Sequence, residues 1–506
     1  MPSVTDLIFI LLLYSFAFGV LAPRLLWDGD IGWHIRNGQN ILATHSIPRV
    51  DSFSATMSGR PWYAWEWLYD ALIAAIYNRL GLSGVVYFTA VVIATTLAMV
   101  FRLSLRRGGG VVATTILFLI GTVACSIHFL ARPHVVGWLI TVVWLWILDS
   151  SYRDGFDGKF DRRLYWLPVL MVLWANLHGG FVLGFVLLGV YLAGDVLQWL
   201  KCRTEQRAFA ARHARLVTVV FVLSGLASLI NPYAYHLYVH VYGYLTDRFL
   251  MQHIDEFRAP NLHGLPAQAF VLLLAVSAAA LVRVRGRVRW ADALLMLFAA
   301  ISGFLAARNI PVAAMLLIVV AAPLWSLESK GAGRTLRWAF LDQMRMESQL
   351  AGHLWPAVVV LAGLVICFQQ GKWFQRPVIN AHFDEQRFPV RATDFLQQSG
   401  SHDPVFSLDS WGGYLIFRLY PETKVFIDDR HDFYGDAMLR EYLKVLHLES
   451  GWQEVLNQWH VNSVLLPGKS KISTALKDMG WRVTYEDSVA VVLVRKSKSL
   501  PQRTPS

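Results

Sequence analysis

The stretch WDGDIGWHIRNG, Trp27 to Gly38, sets two aspartates, a histidine and an arginine directly after an apolar run. Extended backbone over 27–30 would point Asp28 and Asp30 to the same side. A helix starting near Asp30 would put His34 one turn further along the same face. Three such groups meeting at a point could accept a proton from a hydroxyl, or hold a divalent cation through hard oxygens. The expected catalytic set is therefore Asp28, Asp30 and His34, and the same three are the expected ligands if Mg²⁺ or Mn²⁺ binds. Gly29 and Gly32 let backbone approach closely there. Asp30 also reads as the cap of a helix over 31–43, which accounts for neither Asp28 nor His34.

Further ionisable and amide groups recur in short clusters. ARPH holds Arg132 and His134, WANLHGG holds Asn176 and His178, IDEFRAPNLHG holds Glu256 and His263, and AARNIP holds Arg308 and Asn309. Arg36, Asp51 and Glu66 lie in the segment that follows the opening stretch. A single arginine or histidine at a span end ordinarily snorkels to the interface. Several such segments together point to a polar cavity.

The elements that must position these groups are membrane helices. The chain has 506 residues, 55% of them hydrophobic and 16% charged, and a mean hydropathy of +0.42. That composition excludes an ordinary soluble globule. Apolar runs near 5–22, 84–101, 111–127, 134–148, 164–176, 180–199, 215–231, 266–282, 290–307, 310–326 and 354–370 predict about eleven transmembrane helices. Loops 102–110, 149–163, 201–215, 283–289 and 327–353 hold 20 lysines and arginines, against 4 in the short loops opposite. The positive-inside rule then puts the N-terminus in the cytoplasm and the C-terminus outside. The net charge of +11 follows from this asymmetry beside anionic lipid, so nucleic acid is not an expected partner. Fourteen of the 16 histidines fall on the outer side, with only His213 and His353 inside. The polar clusters thus converge on the outer face. The first span carries no preceding basic residue and no A-x-A-type site, and is read as an anchor rather than a signal peptide. Cys125, Cys202 and Cys367 lie in spans or an inside loop, so no disulfide framework is expected outside.

Three parts follow: a transmembrane module over 1–370 whose first outer loop runs from about 23 to 81, an extracytoplasmic α/β domain over 371–496, and a disordered tail over 497–506. In the second part, DPVFSL, TKVFID, VNSVLLP and VAVVLVR read as strands. GDAMLREYLKVLHL, GWQEVLNQWH and KISTALKDMGW read as helices. In the first loop, HIRNGQNILATH and PWYAWEWLYDALIAAIYNRL read as helices lying along the outer membrane surface, their tryptophans and tyrosines at the interface, with an inward dip the alternative for the second.

A short N-terminal tail, one span and an outer loop opening with acidic residues resemble the integral-membrane glycosyltransferases of the GT-C fold. WDGDIGWHIRNGQNIL through IPRVDSFSATMSGRPWYAWEWL looks like a bacterial branch of them whose loop reads D-x-D-x-W-W-H, then I-P-x-x-D-x-F-S, then E-W-L. Here Gly32 stands in place of the first tryptophan. WANLHGGF, RNIP and WGGYLIFRL with KVFIDDR also look like that branch. SWGGYLI is similar to the W-W-D-Y-G element of oligosaccharyltransferase catalytic subunits but lacks its aspartate, so no peptide-acceptor role is carried over; Trp411 and Tyr414 read as domain core.

The resemblance implies a multi-pass protein of a bacterial inner membrane that takes a sugar from a polyprenyl-phosphate or polyprenyl-diphosphate donor. An acidic residue of the first outer loop would be central to transfer onto an acceptor hydroxyl of a glycan, lipid or protein. On that reading Arg132, His134, His178 and Arg308 bind the donor phosphate, arginine through its planar donor fork. Arg36, Asp51, Glu66, Asn176, Glu256 and Asn309 are further pocket candidates. The alternatives are a transporter or flippase for a lipid-linked or anionic substrate, and a non-catalytic glycan-binding scaffold.

Overall fold

The computed structural model describes residues 2–156, 162–201, 204–284, 288–326, 353–400 and 402–496. The tail over 497–506, expected to be disordered, lies outside the described residues. The chain forms two compact units, one of Met1–Leu25 with Arg79–Asn380 and one of Leu26–Asn78 with Ala381–Ser506. The sequence divides most simply at residue 370, where apolar runs give way to mixed composition. Contacts instead group the first loop with the C-terminal region.

In the first unit a helix occupies every one of the eleven apolar runs. Among the described residues seven helices are long and apolar enough to cross a membrane, and the chain is a multi-pass membrane protein. Val4–Phe18, Trp290–Leu305 and Leu354–Phe368 are apolar but shorter, and Trp166–Leu177 has 12 residues. Helices suit lipid because they satisfy their own backbone polar groups. The helix Trp67–Arg106 is broken at Gly81, whose φ of +62° lies in the region that favours glycine.

Polar groups are not confined to the outer ends of these helices. Asp149, fully buried, is reached by Arg289 at 2.9 Å, Arg153 at 3.0 Å and Arg107 at 3.4 Å. Arg107 and Arg289 both pair with Asp292 as well. Asp195 Oδ2 meets His213 Nδ1 at 2.6 Å. These residues belong to the loops and helix ends assigned to the cytoplasmic side, where interlocked ion pairs tie the helices together.

The second unit is built on helix α1, Asp30–Thr44, and a C-terminal α/β region. That region contributes α2 (Val390–Ser399), α3 (Asp409–Leu419), α4 (His431–Leu446), α5 (Trp452–Gln458) and α6 (Lys471–Asp478). Its strands are β1 (Val405–Ser407), β2 (Ser463–Leu466), β3 (Arg482–Glu486) and β4 (Val491–Val494), in the order β1-β2-β4-β3. β1 and β2 run parallel, and the other pairs are antiparallel. β3, α2 and α3 are elements the sequence pattern did not single out. The run TKVFID, expected as a strand, supplies only isolated bridges, from Val425 to Val405 and to Ser54. It is spent on joining the first loop to the sheet.

α1 and α3 cross at glycines. A Cβ on Gly32 would come within 2.3 Å of the Gly413 carbonyl oxygen, and one on Gly413 within 2.5 Å of the Gly29 oxygen. Gly412 lies equally close to Asp428. This is why a tryptophan is excluded at position 32. Arg36 secures the crossing through Nε, which donates to the Phe417 carbonyl at 2.9 Å. Gly32→Ala should therefore cost about 1–3 kcal/mol through overpacking. It would be read as a lowered melting temperature beside Gly225→Ala, where nothing lies within 4 Å; equal melting of the two variants would refute the close crossing.

Candidate active site

α1 begins at Asp30 with Gly29 as its cap residue. Asp30 is thus the first helical residue and not the cap. Asp28 performs the capping turn, its Oδ1 accepting from the Asp30 backbone N–H at 2.9 Å. Asp30 is 2% exposed, at the helix end whose partial positive charge favours a carboxylate.

Asp28 and Asp30 do come together, but their third partner is Asp429; ligand-capable oxygens of the three lie within 4.8 Å of one another. Asp429 also belongs to a second such group with Asp409 and His431. His431 Nε2 meets Asp409 Oδ2 at 3.1 Å and Asp429 Oδ1 at 3.9 Å. Tyr442 braces Asp409: its hydroxyl donates to Asp409 Oδ1 at 3.2 Å and accepts from the Asp409 backbone N–H at 2.9 Å.

His34 belongs to neither group. Its Nδ1 lies 2.6 Å from Asp70 Oδ1, and Asn37 Nδ2 donates to Asp70 Oδ2 at 2.6 Å. Trp33 stacks on the imidazole at 3.6 Å, and Glu66 stands 4.0 Å away. The expected meeting of His34 with the two aspartates is corrected accordingly. Asp70, not foreseen as a partner, takes up the imidazole, and His34, Asn37 and Asp70 are all buried.

A buried clamp holds the cluster in place. Arg430 donates from Nε and Nη2 to the two oxygens of Asp428, both at 2.7 Å, and from Nη2 to Asp51 Oδ1 at 2.8 Å. Tyr434 donates to Asp428 Oδ2 at 2.8 Å. Asp51 in turn accepts from the Ser54 backbone N–H at 2.9 Å and its hydroxyl at 2.7 Å. That gives the D-x-F-S motif its physical role. The guanidinium lies 4.6 Å from the ring centre of Trp62 and 5.3 Å from that of Phe53. Trp62, expected at the lipid interface, is buried here instead; both environments favour a large ring with a polar edge. Burial works against the Arg430 charge, but Asp428 and Asp51 outweigh it and hold its pKa well above the ordinary value.

Electrostatics in the cluster are opposed in the same way. Burial disfavours the charged imidazole of His431, yet its hydrogen bond to Asp409, together with the charges of Asp409, Asp30 and Asp428, raises its pKa. Burial alone would raise the Asp409 pKa, but the bond to His431 lowers it. A raised histidine pKa contributes stability that is fully present below its unfolded value, near 6.5, and is lost as pH rises through the folded one. A lowered aspartate pKa contributes stability present above about 3.9 and lost as pH falls through the folded value. In chelated protein, the melting difference between wild type and His431→Gln should be largest between about pH 4 and 6.5 and shrink above. A difference that grows with pH would contradict the pairing.

In the membrane unit three of the four candidate phosphate-binding groups, Arg132, His134 and Arg308, act on Glu256. Arg132 Nη1 lies 3.8 Å from Glu256 Oε1. Burial would raise the Glu256 pKa, but Arg308, Arg132, His128 and His134 together drive it well below the usual carboxylate range. Arg308 also stacks 4.4 Å over Phe257. His134 Nε2 lies 2.9 Å from the His128 carbonyl oxygen. His178 Nδ1 accepts from the Gly180 backbone N–H at 3.1 Å and packs against Gly137, one turn beyond His134. Asn176 donates to the carbonyls of Val172 and Ile230, and Asn309 to that of Ser302. Arg36, Asp51, Asn176 and Asn309 are thus engaged in the framework.

Sequence reasoning passed over Asp409, Asp429 and His431. The available signal was FIDDRHDFYG, where four acidic or imidazole groups fall within five residues. The carboxylates of Asp28, Asp30 and Asp429 offer the hard oxygens that a divalent cation requires, and the residues present fit such an ion.

No protein-family profile matches the chain, and no curated protein is similar to it in sequence. Its fold is similar to that of solved GT-C structures. The oligosaccharyltransferase of Archaeoglobus fulgidus tethered to an acceptor peptide with an NVT sequon aligns with a TM-score of 0.59 at 12% identity, over 99% of this chain and 74% of that one. The apo form gives 0.58 at 11% identity, over 91% and 69%. The same enzyme with an inhibitory peptide and a dolichol-phosphate gives 0.55 at 11% identity, over 99% and 74%. The form with zinc and sulfate gives 0.56 at 13%, over 92% and 68%.

Proposed function

We propose that this chain is a GT-C-type glycosyltransferase that moves a sugar from a polyprenyl-phosphate or polyprenyl-diphosphate donor to an acceptor hydroxyl on the extracytoplasmic side of a bacterial inner membrane. The observation that carries the reading is the acidic corner at the head of α1, where Asp28, Asp30 and Asp429 converge within a fold similar to that of a dolichol-phosphate-binding oligosaccharyltransferase. The eleven apolar helices are read as spans, with the first loop and the C-terminal region outside.

Asp30 or Asp28 accepts the proton of the acceptor hydroxyl as its oxygen attacks the anomeric carbon. Positive charge builds on the sugar as the bond to phosphate breaks, an oxocarbenium-like transition state that nearby carboxylates stabilise. In the membrane unit, Arg132, Arg308, His134 and His178 are proposed in their own right as the groups that bind the donor phosphate. A divalent cation held by Asp28, Asp30 and Asp429 would supply electrostatic stabilisation of developing negative charge.

The test is turnover. The protein in lipid nanodiscs is supplied with lipid-linked sugars extracted from its native membrane, and release of polyprenyl phosphate is followed by mass spectrometry. Sugar transfer with release of the lipid carrier is expected. Movement of intact donor across a liposome bilayer without cleavage would instead establish the flippase alternative.

A further inference from the structure

The segment Asp428–His431 alternates in its commitments. Asp428 and Arg430 enter the buried clamp with Asp51, whereas Asp429 and His431 enter the cluster beside Asp28 and Asp30. The clamp thus fixes the backbone on both sides of Asp429 and aims His431 at the carboxylates. The imidazole presents Nε2 to them, 3.1 Å from Asp409 Oδ2 and 3.9 Å from Asp429 Oδ1. Ligand atoms that share one ion at bonds of about 2.1 Å stand about 3–4 Å apart. Asp409 is oriented by the Tyr442 hydroxyl, as metal-binding carboxylates usually are by an outer partner.

We propose that His431 and Asp409 are ligands of the cation site they share with Asp429, and that this nitrogen makes it a site for a divalent first-row transition metal in preference to Mg²⁺. The inference rests on the reading of Asp28 and Asp30 as the reacting corner and adds the class of metal. Mg²⁺ is bound through oxygen and water. One imidazole among carboxylates favours Mn²⁺, Fe²⁺, Co²⁺ or Zn²⁺. On binding, the Nε2 proton now directed at Asp409 is released to solvent. Asp409, Asp429 and His431 fall close together in the sequence, and the clamp to Asp51 in the first loop ties them to the folded second unit.

The full-length protein in nanodiscs, stripped with chelator and reloaded with Mn²⁺, provides the test by pulsed electron paramagnetic resonance. Bound Mn²⁺ should show coupling to a directly ligated ¹⁴N, converted to ¹⁵N coupling in protein grown on ¹⁵N-histidine. His431→Gln should remove the coupling and weaken Mn²⁺ binding by at least the roughly 10–100-fold that loss of an outer-shell partner costs. Mn²⁺ bound without nitrogen coupling in the wild type, or coupling that survives in His431→Gln, overturns the proposal. So does a failure to bind Mn²⁺ more tightly than Mg²⁺. The isotope experiment needs no variant to fold. Donor turnover is scored separately: turnover without nitrogen coupling sinks this inference alone, and nitrogen coupling without turnover sinks the glycosyltransferase reading alone.

Discussion

Asp30→Asn should lower sugar transfer by roughly 10²–10⁴-fold, the range a positioned acid or base contributes, with folding and insertion retained. Asn is isosteric with Asp, so the crossing of α1 and α3 at Gly29, Gly32 and Gly413 is untouched. What disappears is a negative charge at the first turn of α1, buried and supported by the helix end. Asp28→Asn gives a loss of the same order. There the amide oxygen can still accept from the Asp30 N–H, so the turn that Asp28 makes survives and a structural explanation is excluded. Transfer rates, melting temperature and size-exclusion profile measured together separate chemistry from folding. If both variants retain wild-type rates, the reacting corner lies elsewhere.

Arg430→Ala has the largest expected effect on stability. It strips the partner from Asp428 and Asp51, both essentially excluded from solvent. Two buried carboxylates without a counter-charge should cost about 3–5 kcal/mol. The aromatic rings around the guanidinium lose their cation as well. Because the clamp connects the first loop to the C-terminal region, loss should appear as protease sensitivity between residues 381 and 496. Adding Asp428→Asn to Arg430→Ala should recover part of the deficit, since a neutral amide tolerates burial better than an unpaired charge. A single variant that melts with the wild type would show that the clamp contributes nothing.

The reach of the sequence differed from residue to residue. Asp28 and Asp30 were legible because they are two positions apart, although the backbone expected to be extended over 27–30 is a turn with Gly29 in helical geometry. Asp429 and His431 were hidden because their approach to α1 depends on tertiary contacts made some 400 positions along the chain. His34 misled for a related reason: helical spacing puts it near Asp30, but the better partner, Asp70, lies on a different helix. The apolar runs declared the membrane helices directly, since lipid demands long hydrophobic stretches. Trp62 shows the limit of composition, which does not separate a ring at the lipid surface from one packed on a buried arginine. Gly32 was the departure from the resembling pattern, and its meaning became visible only with Gly413 opposite it.

The pairing of the first loop with the C-terminal region also constrains topology by parity. Leu26–Asn78 and Ala381–Ser506 form one compact unit, and a compact unit that stands wholly outside the bilayer keeps both segments on one side of it. On that condition the polypeptide between them crosses an even number of times. Among the described residues seven helices in that interval are long and apolar enough to span, and seven is odd. If all seven cross, an odd number of further crossings must come from the rest of the interval, where Trp166–Leu177, Trp290–Leu305 and Leu354–Phe368 are the short apolar helices described. Parity thereby brings into the count helices that length alone would have left out.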